Sequence, residues 1–198
     1  MRVAAVVLAA GSSSRFGSPK ALAELEGKPI LEHVLDAVRE AGIDEIVVVL
    51  GHAGDEIQHG IEWLDERLVR NPDPRELSSS LQIGLDALDE SDPPVQAAVL
   101  VLGDQPRTRP SVIRALIAAT RTSELPIVVP RYAEGGGANP VLLRREAFDL
   151  ADEAIGDRGL GPILEVRPEL VVWVPVAGSN PDIDTPADLA ALEMNSTR

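Results

Sequence analysis

At 198 residues the chain can enclose one sizeable core but not two comfortable ones. A formal net charge of -14 sets its surface against nucleic-acid backbones and anionic membranes, so neither is expected as a partner, and the lack of cysteine excludes disulfides, thiolate metal sites and a cysteine nucleophile. Aromatics make up only 3% of the residues, so Val, Leu, Ile and Ala must build the core, a composition suited to a parallel sheet covered on both faces by helices.

In chain order, residues 3–8 form an apolar run that reads as a buried first strand. The run follows a charged start, but it is short and passes straight into a polar loop, so it is not read as a secretory leader. Pro29 opens and Gly42 closes a helical stretch whose stripe is Ile30, Leu31, Val34, Leu35 and Val38. Residues 45–51 read as a second strand, 54–66 as a helix weakened by Gly60, and 78–90 as a helix opened by serines fit for N-capping. The next strand is expected over 97–106, followed by a helix begun by Pro110. Beyond lie a strand at 125–132, a glycine-rich loop at 133–140, an apolar triplet at 141–143 and a helix-like stretch at 145–154. After the segment 156–166 come a strand at 169–176 and a last helix from Pro186. This alternation predicts an α/β fold over 1–198: a single-domain, Rossmann-like three-layer sandwich with a mostly parallel sheet. No segment has the length of a membrane span, and the expected location is cytoplasmic.

Ligands of open α/β sheets sit beyond the carboxyl ends of the strands. The stretch Ala9–Lys20 leaves the first strand at that end. Its Gly11 and Gly17 let backbone N–H groups approach an anion, and Arg15 and Lys20 supply positive charge. Spacing excludes two familiar phosphate loops. Five residues separate the glycines where a Walker A loop has four, Lys20 stands three residues after the second glycine, and G-x-G-x-x-G is absent. A phosphate-binding loop of another kind is expected, against the plainer reading of a Gly/Ser-rich surface turn.

Asp104, in "VLVLGDQP", follows an apolar run and so stands at a strand's carboxyl end. The local sequence fits either a turn aspartate or a hard oxygen ligand for Mg2+. In "NPDIDTPADL", Asp182 and Asp184 fall on one side of an extended chain, while Thr185, Pro186 and Asp188 fit a helix start; both can hold at once. His33, His52 and His59 lack metal-ligand spacing, no Ser-His-Asp set can be assembled, and Trp63 and Trp173 read as packing residues.

The stretch Leu8, Ala9, Ala10, Gly11, Ser14, Arg15, Phe16, Gly17 and Lys20 resembles the L-A-A-G-x-S-x-R-[MF]-G-x-x-K loop of the MobA-like NTP transferase family, with Ser13 as the serine normally two after the glycine. "GDQP" and "DIDTP" resemble the acidic segments of the same family, and the matches run in its order along almost the whole chain. The resemblance implies a nucleotide-diphospho-sugar-transferase-like fold. It implies a nucleotide site of Leu8, Ala9, Ala10, Gly11, Ser14, Arg15, Lys20, Ser79, Ser80 and Asp104. Ser79 and Ser80 would lie near the base, following Asn71. Asp104 and Asp184 would hold Mg2+, and Arg15, Lys20 and Asp104 would be catalytic. "GGGANPVLL" and "GDRG" resemble acceptor-side motifs, which implies Asn139, Pro140, Gly156 and Asp157 there. Ala138 replaces a usual glycine, and 156–159 also reads as a helix-ending turn.

Ala10 and the two acidic segments favour the molybdenum cofactor cytidylyltransferase (MocA-like) branch over the guanylyl branch, whose loop reads L-A-G-G. The implied reaction moves CMP from CTP onto molybdopterin and releases pyrophosphate, with a molybdoenzyme as possible client. A cytidylyltransferase for a sugar phosphate or another small phosphorylated acceptor, and a non-catalytic cofactor-binding accessory protein, are the alternatives.

Overall fold

The computed structural model describes residues 1–11, 16–154 and 156–196. Seven successive apolar side chains give β1 (Val3–Ala9) no polar face, and Val3 to Leu8 are all buried. A ribbon of β2 (Glu24–Leu25) and β3 (Lys28–Pro29) leads into α1 (Ile30–Glu40), β4 (Glu45–Leu50), α2 (Gly54–Gly60), β5 (Arg67–Arg70) and α3 (Leu77–Asp86). Then follow β6 (Ala97–Leu102), α4 (Pro110–Ala119), β7 (Ile127–Tyr132), β8 (Val141–Arg144), α5 (Gly161–Val166), β9 (Val171–Val176) and α6 (Pro186–Ser196).

The sheet runs β5-β4-β1-β6-β8-β7-β9. Only β8 is antiparallel to its neighbours, β6 and β7; the other pairings are parallel. Val6 lies in register between Val47 and Leu100. Strand alternation sorts the core into two layers. Val3, Ala5 and Val7 meet Leu31, Val34, Leu35 and Val38 of α1 and Ile113 and Leu116 of α4. Ala4, Val6 and Leu8 meet Leu81 and Leu85 of α3 and Ile163 and Leu164 of α5. Each such Leu, Ile or Val contributes about 1.5–3 kcal/mol by leaving water. From β1 the order runs out through β4 in one direction and through β6 in the other, so the crevice for a ligand falls at the carboxyl ends of β1 and β6.

Gly84 lets α3 press onto the sheet. A Cβ there would stand 2.3 Å from Val6 Cγ1 and 3.0 Å from Val49 Cγ2, two stiff β-branched neighbours. Gly84→Val should therefore destabilise the protein by about 1–3 kcal/mol. A urea midpoint equal to or above that of the parent would contradict this close packing.

Some elements differ from the sequence expectation. The helix expected over 54–66 stops at Gly60, because Ile61 is extended (φ -117, ψ 142) and the chain turns outward to feed β5. The strand β5 itself was not expected. The serines do not cap α3: Glu76 holds the N-cap position without a side-chain cap bond, and Ser79 Oγ donates back to Glu76 O at 2.9 Å. Residues Arg145–Glu153 wind as 3-10 helix, and residues 156–166 divide into a 3-10 turn and α5. Among the described residues no helix is long and apolar enough to cross a membrane.

Candidate active site

β1 delivers buried Ala10 and then Gly11 to the crevice. Ser14 and Arg15 lie outside the described residues. The chain is described again from Phe16, turns at Gly17 (φ 73) and reaches Lys20 at the head of a 3-10 turn. On the neighbouring strand, Gly103 N donates to Leu8 O at 2.9 Å; a Cβ on Gly103 would come within 3.0 Å of that same oxygen. The glycine thus keeps the end of β6 against β1, and Asp104 emerges facing the loop.

Lys20 Nζ donates to Asp104 Oδ2 at 2.6 Å and to Asp184 Oδ1 at 3.4 Å, joining residues up to 164 positions apart in sequence. Two contacts fix the second carboxylate. Ile183 N donates to Asp104 O at 3.2 Å, and the Ile183 side chain is fully buried beside Leu25 and Ile30. With Ile183 anchored inward, its neighbours face polar partners: Asp184 meets Lys20 and Asp182 meets Gln105. A capping box closes the segment: Thr185 N donates to Asp188 Oδ2 at 2.7 Å, and Asp188 N donates to Thr185 Oγ1 at 3.3 Å. The Thr185 hydroxyl, which donates to Asp188 Oδ2 at 2.8 Å, and then the Thr185 N–H hold the Asp188 carboxyl below its usual range.

Asp182 is the third carboxyl of the group. Burial pushes its pKa up, and the charges of Asp104 and Asp184 add to that, against the Gln105 amide and the Lys20 ammonium. Behind it runs a relay missing from the sequence expectation. Buried Asn180 donates through Nδ2 to Gln105 Oε1 at 2.9 Å, and Gln105 donates through Nε2 to Asp182 Oδ1. Asn180 also reaches Asn139 O at 3.4 Å, which accepts from Tyr132 OH at 2.9 Å. Burial above all pushes the Tyr132 phenol up to about 12, so it remains a donor. Tyr132 is the chain's single tyrosine. The 295 nm absorbance of the folded protein should therefore show no phenolate below about pH 11, whereas half-ionisation near the ordinary value of about 10 would contradict a buried donor.

On the α3 and α5 side of the sheet lies a cavity of about 280 Å³, walled by leucines including Leu8, Leu81 and Leu164, with Asp182, Asn139 and Asp157 among its lining. Asp157 Oδ1 accepts from Leu77 N at 3.4 Å and Gly156 N donates to Glu76 Oε2 at 3.2 Å, which ties this turn to the start of α3. Asn71 Nδ2 donates to both Ser79 Oγ and Ser80 Oγ at 2.9 Å; Ser79 is half-buried, whereas Ser80 is buried. Pro140 is buried behind Asn139.

The structure thus gathers Lys20, Asp104 and Asp184 at one point, with Asn139 and Asp157 at the adjoining cavity. Two carboxylates turned toward one cation form a hard oxygen donor set that fits Mg2+ or Mn2+, since such an ion needs only one or two carboxylates beside phosphate and water. Among the described residues no group of three or more His, Cys, Asp or Glu is arranged to hold a metal.

Comparison with known proteins identifies the fold and the family. The crystal structure of Rv0371c from Mycobacterium tuberculosis H37Rv is 31% identical and superposes with a TM-score of 0.86 over 98% of this chain and 99% of that one. A structure of Rv0371c in complex with manganese is 29% identical, with a TM-score of 0.82 over 99% and 100% of the two chains. A nucleotidyl transferase from Methanothermobacter thermautotroptrophicus is 27% identical, with a TM-score of 0.78 over 100% and 98%. The bifunctional protein GlmU of Burkholderia orbicola is 27% identical over 173 residues, 84% of this chain, which spans only 37% of that relative's length. The family model of the MobA-like NTP transferase domain matches residues 5–171, and with that match the chain belongs to the MobA-like NTP transferases.

Proposed function

We propose that the chain is a divalent-metal-dependent nucleotidyltransferase that moves CMP from CTP to molybdopterin and releases pyrophosphate, in the cytoplasm. The observation that carries the reading is the meeting of Lys20 with Asp104 and Asp184 at the carboxyl ends of the sheet. An acceptor phosphate oxygen attacks the α-phosphorus in line. The new P–O bond forms as the bond to the β-phosphate bridging oxygen breaks, and pyrophosphate leaves with that electron pair. Asp104 and Asp184 would hold Mg2+ or Mn2+, and such an ion, when bound, neutralises phosphate charge. Lys20, with Arg15, offsets the charge of the leaving group, while Leu8 to Gly11 and Ser14 line the nucleotide and Ser79 and Ser80 support the base-side wall. No covalent enzyme intermediate is required, because positioning and preorganised charge supply most of the acceleration.

The cavity beside the cluster is the proposed acceptor site, with Asn139, Pro140, Gly156 and Asp157 around it. Its leucine walls offer apolar contact to the faces of a flat heterocycle. Asp182 and Asn139 offer polar groups for the edge of such a ring. The relative solved with manganese supports a divalent ion, and Ala10 supports CTP through the resemblance of the loop.

Product analysis tests the acceptor. Incubation with CTP, Mg2+ and molybdenum cofactor should yield a species heavier by one cytidylyl unit, CMP less one water, in the mass spectrum. A cytidylyl sugar, formed when a sugar 1-phosphate is offered and the cofactor is not consumed, would move the assignment to that class. A rise in melting temperature with Mg2+ and CTP but no product with either acceptor would favour an accessory binding role.

A further inference from the structure

Lys20 occupies the place a metal needs. Its ammonium stands 2.6 Å from one proposed ligand and 3.4 Å from the other, and its side chain is only 15% exposed. A divalent ion bound to the same oxygens at about 2.1 Å would share them with a second cation in a half-buried crevice, where like charges are poorly screened. Asp182, held by the Gln105 amide, places a third carboxyl beside the pair. Lys20 also has the means to leave, with four rotatable carbons and a point-charge ammonium that bonds phosphate oxygens as readily as carboxylate.

We infer that Lys20 is a gate on metal entry: in the nucleotide-free protein it is the resident cation of Asp104 and Asp184, and a divalent ion binds there only with the nucleotide, whose triphosphate draws Lys20 away. The inference rests on the proposal that these two carboxylates hold the metal. It gives Lys20 two successive partners, carboxylate before nucleotide binding and phosphate after it. It also couples metal and nucleotide affinity in both directions, as linkage demands. The protein then takes its metal as a metal–nucleotide complex and ignores the free ion.

The test is Mn2+ binding to the nucleotide-free protein, read from the free-ion EPR signal. It should be run in about 0.5 M salt, where general field effects are screened and direct contacts persist. Lys20→Met should bind Mn2+ on the order of ten-fold or more tightly than the parent, Lys20→Gln should do the same, and adding Asp104→Asn to either should remove the gain. Circular dichroism of each variant establishes that it is folded. Binding by both Lys20 variants that is equal to or weaker than the parent's overturns the gate. In that event, loss of Mn2+ from the parent with CTP on Asp104→Asn leaves the metal assignment standing. Retention of Mn2+ in that variant means that the metal assignment falls along with the gate.

Discussion

Replacing Asp104 with alanine should lower pyrophosphate release by about a thousand-fold while the protein stays folded. Catalysis at this site is proposed to be electrostatic, and removing a single preorganised charge-stabilising group commonly costs about a hundred- to a thousand-fold in rate. Asp104 would be asked for more than one such contact, because it holds the metal and also orients Lys20 across 2.6 Å. Stability has little at stake. The Asp104 side chain is 30% exposed beyond the end of β6, and an ion pair so open to water contributes about 0–1 kcal/mol. Asp104→Asn separates charge from shape: it keeps the volume and should be nearly as inactive. Lys20→Ala should lose about a hundred-fold through the leaving group. Parallel measurement of turnover and melting temperature checks all three, and near-normal turnover in folded Asp104→Ala would remove that residue from the mechanism.

Glu66→Ala should destabilise the protein by about 1–3 kcal/mol through loss of its charged hydrogen bonds. The Glu66 side chain is 1% exposed. Its Oε1 accepts from Arg39 Nε at 2.7 Å and its Oε2 from Leu64 N at 2.7 Å, so it clamps the end of α1 to the segment entering β5. Removal takes the buried partner from the Arg39 guanidinium, which keeps Asp36 Oδ1 at 3.2 Å and Glu62 O at 3.0 Å. Burial alone would push the Glu66 carboxyl up, but the bonds from Arg39 and Leu64 outweigh it and hold the pKa below the usual value. A carboxyl with a lower pKa folded than unfolded stabilises the protein above the unfolded value of about 4.3, and that contribution disappears as pH falls through the folded pKa. The gap between parent and Glu66→Ala should accordingly be full at pH 7 and narrow below about pH 4 in urea titrations. A gap independent of pH would contradict the pairing.

The parts of the fold legible in the sequence were those with one unmistakable period. Val3–Leu8 is apolar without interruption, and Ile30, Leu31, Val34, Leu35 and Val38 make one stripe, so β1 and α1 lie close to where the pattern puts them. The strand β5 escaped notice because Arg67 and Arg70 frame only Leu68 and Val69, and an edge strand with one neighbour needs few apolar residues. The helix expected over 54–66 ran too long because Ile57 and Ile61 keep helical spacing although Ile61 is extended.

The candidate site divides in the same way. Asp104 declared itself by ending an apolar run, and Asp184 by sharing a strand side with Asp182. The relay of Tyr132, Asn180 and Gln105 had no local signal, since Asn180 and Gln105 are 75 residues apart and each looks like an ordinary loop residue. That long-range pairing comes from the sheet order, which only the fold supplies.

The central claim is nucleotidyl transfer at the cluster of Lys20, Asp104 and Asp184. Pyrophosphate release, measured with Mg2+ and intact molybdenum cofactor against CTP, GTP, ATP and UTP in parallel, tests it most directly. The predicted result is release with CTP, dependent on both metal and cofactor and lost in Asp104→Ala. Release with GTP instead would keep the chemistry and overturn the reading of Ala10. No release with any of the four, from protein shown to be folded, would contradict transfer to this cofactor.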